Sequence, residues 1–428
     1  MNESNQKSLV ESHITEICPS CGSSMDNNFG YVVWCTECNY NINPSFIEEK
    51  LNKLQKIYKN MGDKFGKATL NKILESKTIE PTFSWFRLGT FLVSTLIHGF
   101  SIFCFFTSII MIFHWYEHFW YKVIGPILFG ISLITRPKVY KLDKNEQILP
   151  REEFSSLYQL VDDIAIKSGI KKVNGIIINQ DYNASITTIG IRRKKILYLG
   201  LPLLSVLTKE ERIALLGHEL GHSANHDLSR SFYVGTAIRT VLNWYLILAP
   251  ERPLHHLGLF EEISSIIMKV VAIIPYGLFL LLVHLSWQDK QRAEYYADLF
   301  GAKVGGTEAS ISLNEKMLYS DIFHFIILKT AVGPYRTQFF SKLNEAIIEI
   351  PQNEVLRRTR IAEMELSRLD VTHPPISYRN KFLENNYIKE PLINSSERLN
   401  KKIDDELRTL ENEVESKLVE GYLTSLEY

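Results

Sequence analysis

The chain has 428 residues, enough for two or three domains around a sizeable core. Its 48 basic side chains balance 48 acidic ones, which excludes a global field drawing it to nucleic acid or to an acidic partner. Hydrophobic residues make up an ordinary 45%, but they are unevenly spread, and the polar start MNESNQKSLVES reads as something other than a cleavable secretory signal.

Four of the five cysteines lie between Cys18 and Cys38. Cys18-Pro-Ser-Cys21 and Cys35-Thr-Glu-Cys38 form a CxxC…CxxC pair. Two thiolate pairs at this spacing close a tetrahedral zinc site, and so short a fragment has no core without metal. Residues 1–42 are therefore expected to form a zinc ribbon; two disulfides would require an oxidising compartment. No Lys or Arg lies between the outer cysteines, so the ribbon is expected to stabilise structure or dock an unknown partner rather than nucleic acid. Residues 43–86 read as a lysine-rich helical linker. Ser45-Phe-Ile-Glu48 is a capping box, Ile47, Leu51, Leu54 and Tyr58 follow at helical spacing, and eight lysines lie from Lys50 to Lys77.

From Leu88 to Phe113 there is no Asp, Glu, Lys or Arg, a run long enough to span a bilayer. An aromatic link, His114 to Trp120, leads to a second apolar run from Val123 to Thr135. Arg136, Lys138, Lys141 and Lys144 follow. Residues 87–136 thus predict a membrane hairpin with basic residues at both open ends, which places the N-terminus and the chain after Arg136 in the cytoplasm. Ser231 to Ala249, interrupted by Arg239 and Asn243, and Ile266 to Trp287 predict a second hairpin over 231–287; a pair of buried or interfacial helices is the alternative. The protein is expected to be multi-pass and integral to a membrane, with the bilayer as partner.

Between the hairpins, Glu152 to Ser168 reads as a helix with Phe154, Leu157, Leu160, Val161 and Ile164 inward. Val173 to Ile178 and Lys195 to Leu199 read as strands, and Asn183-Ala184-Ser185-Ile186 as a third. The chain after Asp298 is mostly helical. Residues 384–428 are expected to form an acidic terminal helix with the stripe Leu399, Ile403, Leu407, Leu410, Val414 and Leu418. The fold class is mainly α with a small β-sheet, plus transmembrane helices and the ribbon.

Thr208-Lys-Glu-Glu211 is another capping box, opening a helix that runs into His218-Glu219-Leu220-Gly221-His222. His218 and His222, four apart, face one side and can share a zinc ion. Glu219 stands where a general base would take a proton from water activated by the metal. Such a site needs a third protein ligand. Arg292-Ala293-Glu294-Tyr295-Tyr296-Ala297-Asp298 places Glu294 and Asp298 on one helical face. Glu294 is the expected ligand, and Asp298 is expected to orient a ligand imidazole from behind.

The stretches GHELGHSANHD (Gly217 to Asp227), AEYYAD (Ala293 to Asp298) and THPPISYR (Thr372 to Arg379), in this order, resemble the HtpX-type membrane zinc metallopeptidases, gluzincins related to the Ste-type CAAX prenyl endopeptidases. The resemblance runs from about Leu88 to Leu383. It implies an α+β zincin-like protease with catalytic zinc on His218, His222 and Glu294, Glu219 as base, and Asp298 and Asn225 supporting the ligands. It also implies that His373 stabilises the oxyanion and that Arg379 holds the helices. Asn183 to Ile186 falls at the family's edge strand, where an extended substrate would add by main-chain pairing. The ribbon, the lysine-rich helix and the acidic terminus depart from the family pattern. The expected protein is a zinc endopeptidase with its active site at the cytoplasmic face, cleaving unfolded or damaged membrane proteins. It would hold two zinc ions, one catalytic and one structural in the ribbon. A narrower processing protease and a non-catalytic zinc-stabilised scaffold or sensor are the rivals.

Overall fold

The structure is a computed structural model and describes residues 14–44, 53–75, 85–114, 119–224, 227–249, 259–333, 338–365, 367 and 373–426. The capping box at Ser45–Glu48 lies outside the described residues. The ribbon consists of two short antiparallel strands, β1 (Ile14–Ile17) and β2 (Ser24–Asn27), beside a fully buried Trp34. The basic helix α1 (Lys53–Glu75) presents Leu70 and Ile73 to Tyr295, Phe382 and Leu383.

Helix α2 (Trp85–Phe113) is inside out by the standards of a water-soluble helix. Its buried side is Thr90, Ser94, Ile97, Ser101, Cys104 and Ser108, while Leu96, Phe103 and Phe106 face outward. Small, hydroxyl-bearing residues inside and large apolar ones outside suit packing in a lipid solvent, where apolar surface gains nothing by burial. Helix α3 (Phe119–Thr135) lies against it. The crossing is close at Gly125, where a Cβ would stand 2.8 Å from the Ile112 side chain. Ser101 Oγ donates to Thr135 O at 2.5 Å.

Helix α7 (Asp227–Leu248) packs on α2 and on α8 (Leu259–Gly305) through Ala237 and Val241, against Ile97 and Leu282. By length and composition, two helices among the described residues could cross a membrane: α2 and α8. Helix α3 is apolar but shorter, and only the later arm of the expected second hairpin meets the criterion. Helix α8 runs unbroken for 47 residues, so the apolar stretch ending at Trp287 and the segment carrying Glu294 and Asp298 are one rod. Arg87 pairs with Asp289 at 3.1 Å, tying the start of α2 to that rod.

The globular part begins with α4 (Ser155–Lys167), whose predicted inward residues are all buried. A three-stranded sheet follows: β3 (Gly175–Asn179), β4 (Ala184–Ile189) and β5 (Lys194–Gly200), in the order β3-β5-β4. The central β5 pairs parallel with β3 and antiparallel with β4. It is buried on both faces, Leu197 and Leu199 joining the main core and Ile196 and Tyr198 meeting Ile177 opposite. After α5 (Leu201–Val206) and α6 (Lys209–Ala224), the remaining helices are α9 (Thr307–Met317), α10 (Ser320–Val332), α11 (Phe339–Ile348), α12 (Gln352–Met364) and α13 (Ile376–Asn385).

The expected single terminal helix is instead two, α14 (Glu397–Arg408) and α15 (Glu411–Leu426), separated at Thr409 and Leu410. Ile403, Leu407, Val414 and Leu418 are buried in the main core. The acidic residues between them act as remote caps: Glu406 accepts from the amides of Ser156 and Leu157 at the start of α4, and Glu415 from that of Phe339 at the start of α11. Carboxylates there satisfy amides that neither helix satisfies with its own N-cap side chain. The ribbon docks on α12. Arg357 donates to Ile42 O at 2.7 Å, and Arg360 donates to Asn39 Oδ1 at 2.9 Å while lying over the Trp34 ring.

Candidate metal centre

Helix α6 starts as its sequence dictates. Thr208 N donates to Glu211 Oε2 at 2.7 Å, and Glu211 N to Thr208 Oγ1 at 3.3 Å, a complete capping box. Glu211 also accepts from Ser312 Oγ at 2.6 Å and Lys316 Nζ at 2.7 Å, which fixes the helix to α9. Ile213, Leu216 and Leu220 enter the core.

The crossing of α6 and α8 depends on missing side chains. A Cβ on Gly217 would lie 3.0 Å from Gly301 Cα, and one on Gly221 3.0 Å from Ala297 Cα. From the other side, a Cβ on Gly301 would lie 2.9 Å from Ala214 O, and one on Gly305 2.7 Å from Ala214 N. The two helices meet backbone against backbone along this crossing. Glu294 and Asp298 thereby reach the histidines. The sequence reading overlooked these residues, although Gly217 and Gly221 on one helix and Ala297, Gly301 and Gly305 on the other recur every four residues, the spacing of a close-packed helix face.

The donor atoms of His218, His222 and Glu294 lie within 4.8 Å of one another. His218 Nε2 is 3.7 Å from Glu294 Oε2, and His222 Nε2 is 3.7 Å from Glu294 Oε1. The other nitrogen of His218, Nδ1, is 3.0 Å from Asp298 Oδ1. That contact fixes the ring's tautomer and turns Nε2 toward the shared centre. Asp298 is in turn gripped by Arg379 at both oxygens, Nη2 at 2.5 Å and Nε at 2.8 Å. His373 Nδ1 donates to Glu294 Oε2 at 2.7 Å, and its side chain is 56% exposed. Buried and flanked by positive charge, the four side chains form one chain of contacts: Arg379 to Asp298 to His218, with Glu294 beyond.

Charge states follow from this packing. Burial lowers the His222 pKa to about 4, so the ring is neutral at pH 7, the form that ligates metal. For His218, burial also disfavours the charged form, but the Asp298 carboxylate outweighs it and raises the pKa. Burial raises the Glu219 pKa, His218 pulling the other way. Glu294 lies beyond the apolar stretch of α8; burial alone would raise its pKa, yet His373 and the two ligand histidines hold it well below the usual carboxylate range. Two imidazole nitrogens, with His218 giving up its proton on ligation, and one carboxylate are a donor set that fits zinc and leaves a position open.

The second group that could hold a metal among the described residues is Cys18, Cys21, Cys35 and Cys38. Their sulfurs pair at 3.6 Å (Cys18–Cys38) and 3.5 Å (Cys21–Cys35), all as free thiols. Asn225 lies outside the described residues. The expected strand at Asn183–Ile186 is shifted: β4 starts at Ala184 and runs to Ile189. Asn183 lies before the strand, where its carbonyl accepts from Gly200 N at 2.9 Å. Strand β4 is at the sheet edge and packs against α6.

Comparison with known proteins places the chain in a family. Residues 151–386 match the family model described as peptidase family M48. The chain is 23% identical over 171 residues to "Protease HtpX homolog 1" of Sulfurisphaera tokodaii, covering 39% of this chain and 55% of that protein. It is 26% identical over 243 residues to "Protease HtpX homolog" of Pyrobaculum calidifontis, covering 53% and 67%. Against "Protease HtpX" of Pseudomonas putida it is 26% identical over 194 residues, covering 44% and 65%. No solved structure matches the chain.

Proposed function

The chain belongs to peptidase family M48, and on that premise we propose that it hydrolyses peptide bonds of membrane-associated polypeptides with zinc as cofactor and Glu219 as general base. The observation that supports this best is the triad of donors within 4.8 Å of one another, with Asp298 engaging the far nitrogen of His218. His218, His222 and Glu294 would hold the zinc, whose Lewis acidity polarises a scissile carbonyl and acidifies water.

The chain's own residues carry the rest. Glu219 takes the proton of the attacking water and delivers it to the leaving amine, a task suited to a carboxyl whose pKa is raised by burial. His373 donates through Nδ1 to Glu294, and in the doubly protonated form its Nε2–H is the donor offered to the substrate oxygen as negative charge develops. Arg379 neutralises Asp298, which keeps His218 oriented. The edge of β4, from Ala184 through Ser185 and Ile186 with Asn183 at its entrance, takes an extended substrate by main-chain pairing, which tolerates varied sequences. Relatives carry the HtpX name, and the proposed substrates here are unfolded or damaged membrane proteins. The apolar helices hold the site at a bilayer, with the N-terminus and metal centre on the cytoplasmic side. The four cysteines hold a second, structural zinc.

The test is a comparison of the wild type with Glu219→Gln on a detergent-solubilised, partly unfolded membrane protein. Cleavage by the wild type alone, abolished by a chelator and restored by zinc, is the expected result. Equal cleavage by both proteins would contradict the role of Glu219.

A further inference from the structure

The β4–β5 turn is built oddly for a solvated loop. Strands β4 and β5 pair as far as Ile189 with Lys194, leaving Gly190, Ile191, Arg192 and Arg193 as the turn. At its tip Ile191 is 89% exposed, followed directly by the exposed side chains of Arg192, Arg193 and Lys194. Arg193 adopts a left-handed backbone, φ 51°, which Gly or Asn would occupy at lower cost.

The turn does not hang free in solution. Gly190 N donates to Tyr140 O at 2.9 Å, and Tyr140 lies five residues beyond the end of the apolar helix α3. Arg193 sits over the ring of Phe232, near the start of α7, 4.9 Å from its centroid. Arg239 of α7 stacks in the same way on Tyr140, at 4.3 Å. The tip is thus held where the chain leaves α3, among Arg136, Lys138 and Lys141. Residues 136–144 and 188–195 together carry eight basic side chains and one acidic, within a chain that is neutral overall.

We propose that this turn is a docking site for anionic lipid headgroups: Arg192, Arg193 and Lys194 bind their phosphates while Ile191 enters the acyl boundary. The proposal rests on the membrane reading above. Concentrated positive charge is matched by phosphates at the bilayer surface, and an exposed isoleucine in its midst has an apolar layer to enter there, which nucleic acid does not provide. Because the turn joins β4 to β5, a lipid held at the tip also fixes the height of the substrate edge above the membrane. The same strand would then be anchored at one end by lipid and open along its edge to substrate.

The test is native mass spectrometry of the full chain released from micelles containing equal amounts of phosphatidylglycerol and phosphatidylcholine. The wild type and Glu219→Gln should both retain phosphatidylglycerol selectively, so the readout does not depend on hydrolysis. Each basic residue near an anionic surface contributes about fivefold, so Arg192→Gln/Arg193→Gln/Lys194→Gln should lose on the order of a hundredfold in selectivity. A photo-crosslinker placed at position 191 of the otherwise unaltered chain should label lipid, which covers the case in which the triple variant misfolds. Equal retention of both lipids by the wild type, or displacement of the anionic lipid by an RNA oligonucleotide, would overturn the proposal. So would unchanged selectivity in a folded triple variant.

Discussion

Gly301→Ala is the substitution that tests how the metal centre is assembled. Its new Cβ would lie 2.9 Å from Ala214 O, 3.3 Å from His218 N and 3.5 Å from His218 Cβ. Two of these are backbone atoms, so no side chain can rotate out of the way. Restoring ordinary contact requires α6 and α8 to part by about half an ångström, and overpacking of this kind costs about 1–3 kcal/mol. One of the crowded backbone atoms is the amide nitrogen of His218 itself, whereas metal–ligand distances tolerate only about 0.2 Å. Zinc affinity should therefore fall by tenfold or more, of the order seen when ligand supports are removed. Competition with a fluorescent zinc chelator, alongside thermal unfolding in detergent, measures both effects. Gly277→Ala is the matched control: it lies on the same helix, and its Cβ would meet nothing within 4 Å. Unchanged zinc affinity in Gly301→Ala would refute the idea that close helix approach positions the ligands.

Asp298→Asn should leave Arg379 buried without its counter-charge, lowering stability by about 3–5 kcal/mol and zinc affinity by about 10–100-fold; chemical unfolding and chelator competition report the two separately. Burial would raise the Glu211 pKa, but Lys316, Ser312 and the Thr208 amide outweigh it and hold it below the ordinary 4.5. A depressed carboxylate stabilises the fold above its unfolded pKa and loses that contribution as pH falls through the folded one. The wild-type unfolding temperature should therefore drop more steeply than that of Glu211→Gln from about pH 5 downward, and parallel curves would contradict the pairing. Cys21→Ser/Cys38→Ser should lower bound zinc from two ions per chain to one, as measured by elemental analysis, with cleavage by the remaining ion retained.

Much of the site was legible because its chemistry is local. A capping box, two histidines one turn apart and two carboxylates one turn apart are short-range patterns, and Glu294 and Asp298 lie on one face of α8 as their spacing implies, both turned to His218. What short-range pattern could not show is how two helices far apart in sequence come close enough to meet, which depends on Gly217, Gly221, Gly301 and Gly305. Nor did the acidic terminus announce its use. Glu406 and Glu415 are indistinguishable in sequence from solvated charges, yet they cap helices that lie far from them along the chain. The unbroken course of α8 was obscured by Pro275 and by the change from apolar to charged residues, neither of which interrupts the helix.

The most direct test of the account is zinc K-edge absorption spectroscopy on the Cys18→Ser/Cys21→Ser/Cys35→Ser/Cys38→Ser variant, in which only the His218, His222 and Glu294 site can bind. One zinc per chain is expected, with nitrogen and oxygen neighbours at about 2.0–2.1 Å, an imidazole scattering pattern and no sulfur. That signal should disappear in the same background carrying His222→Ala. A zinc bound without imidazole, or one whose spectrum survives His222→Ala unchanged, would contradict the assignment of His218, His222 and Glu294 as its ligands.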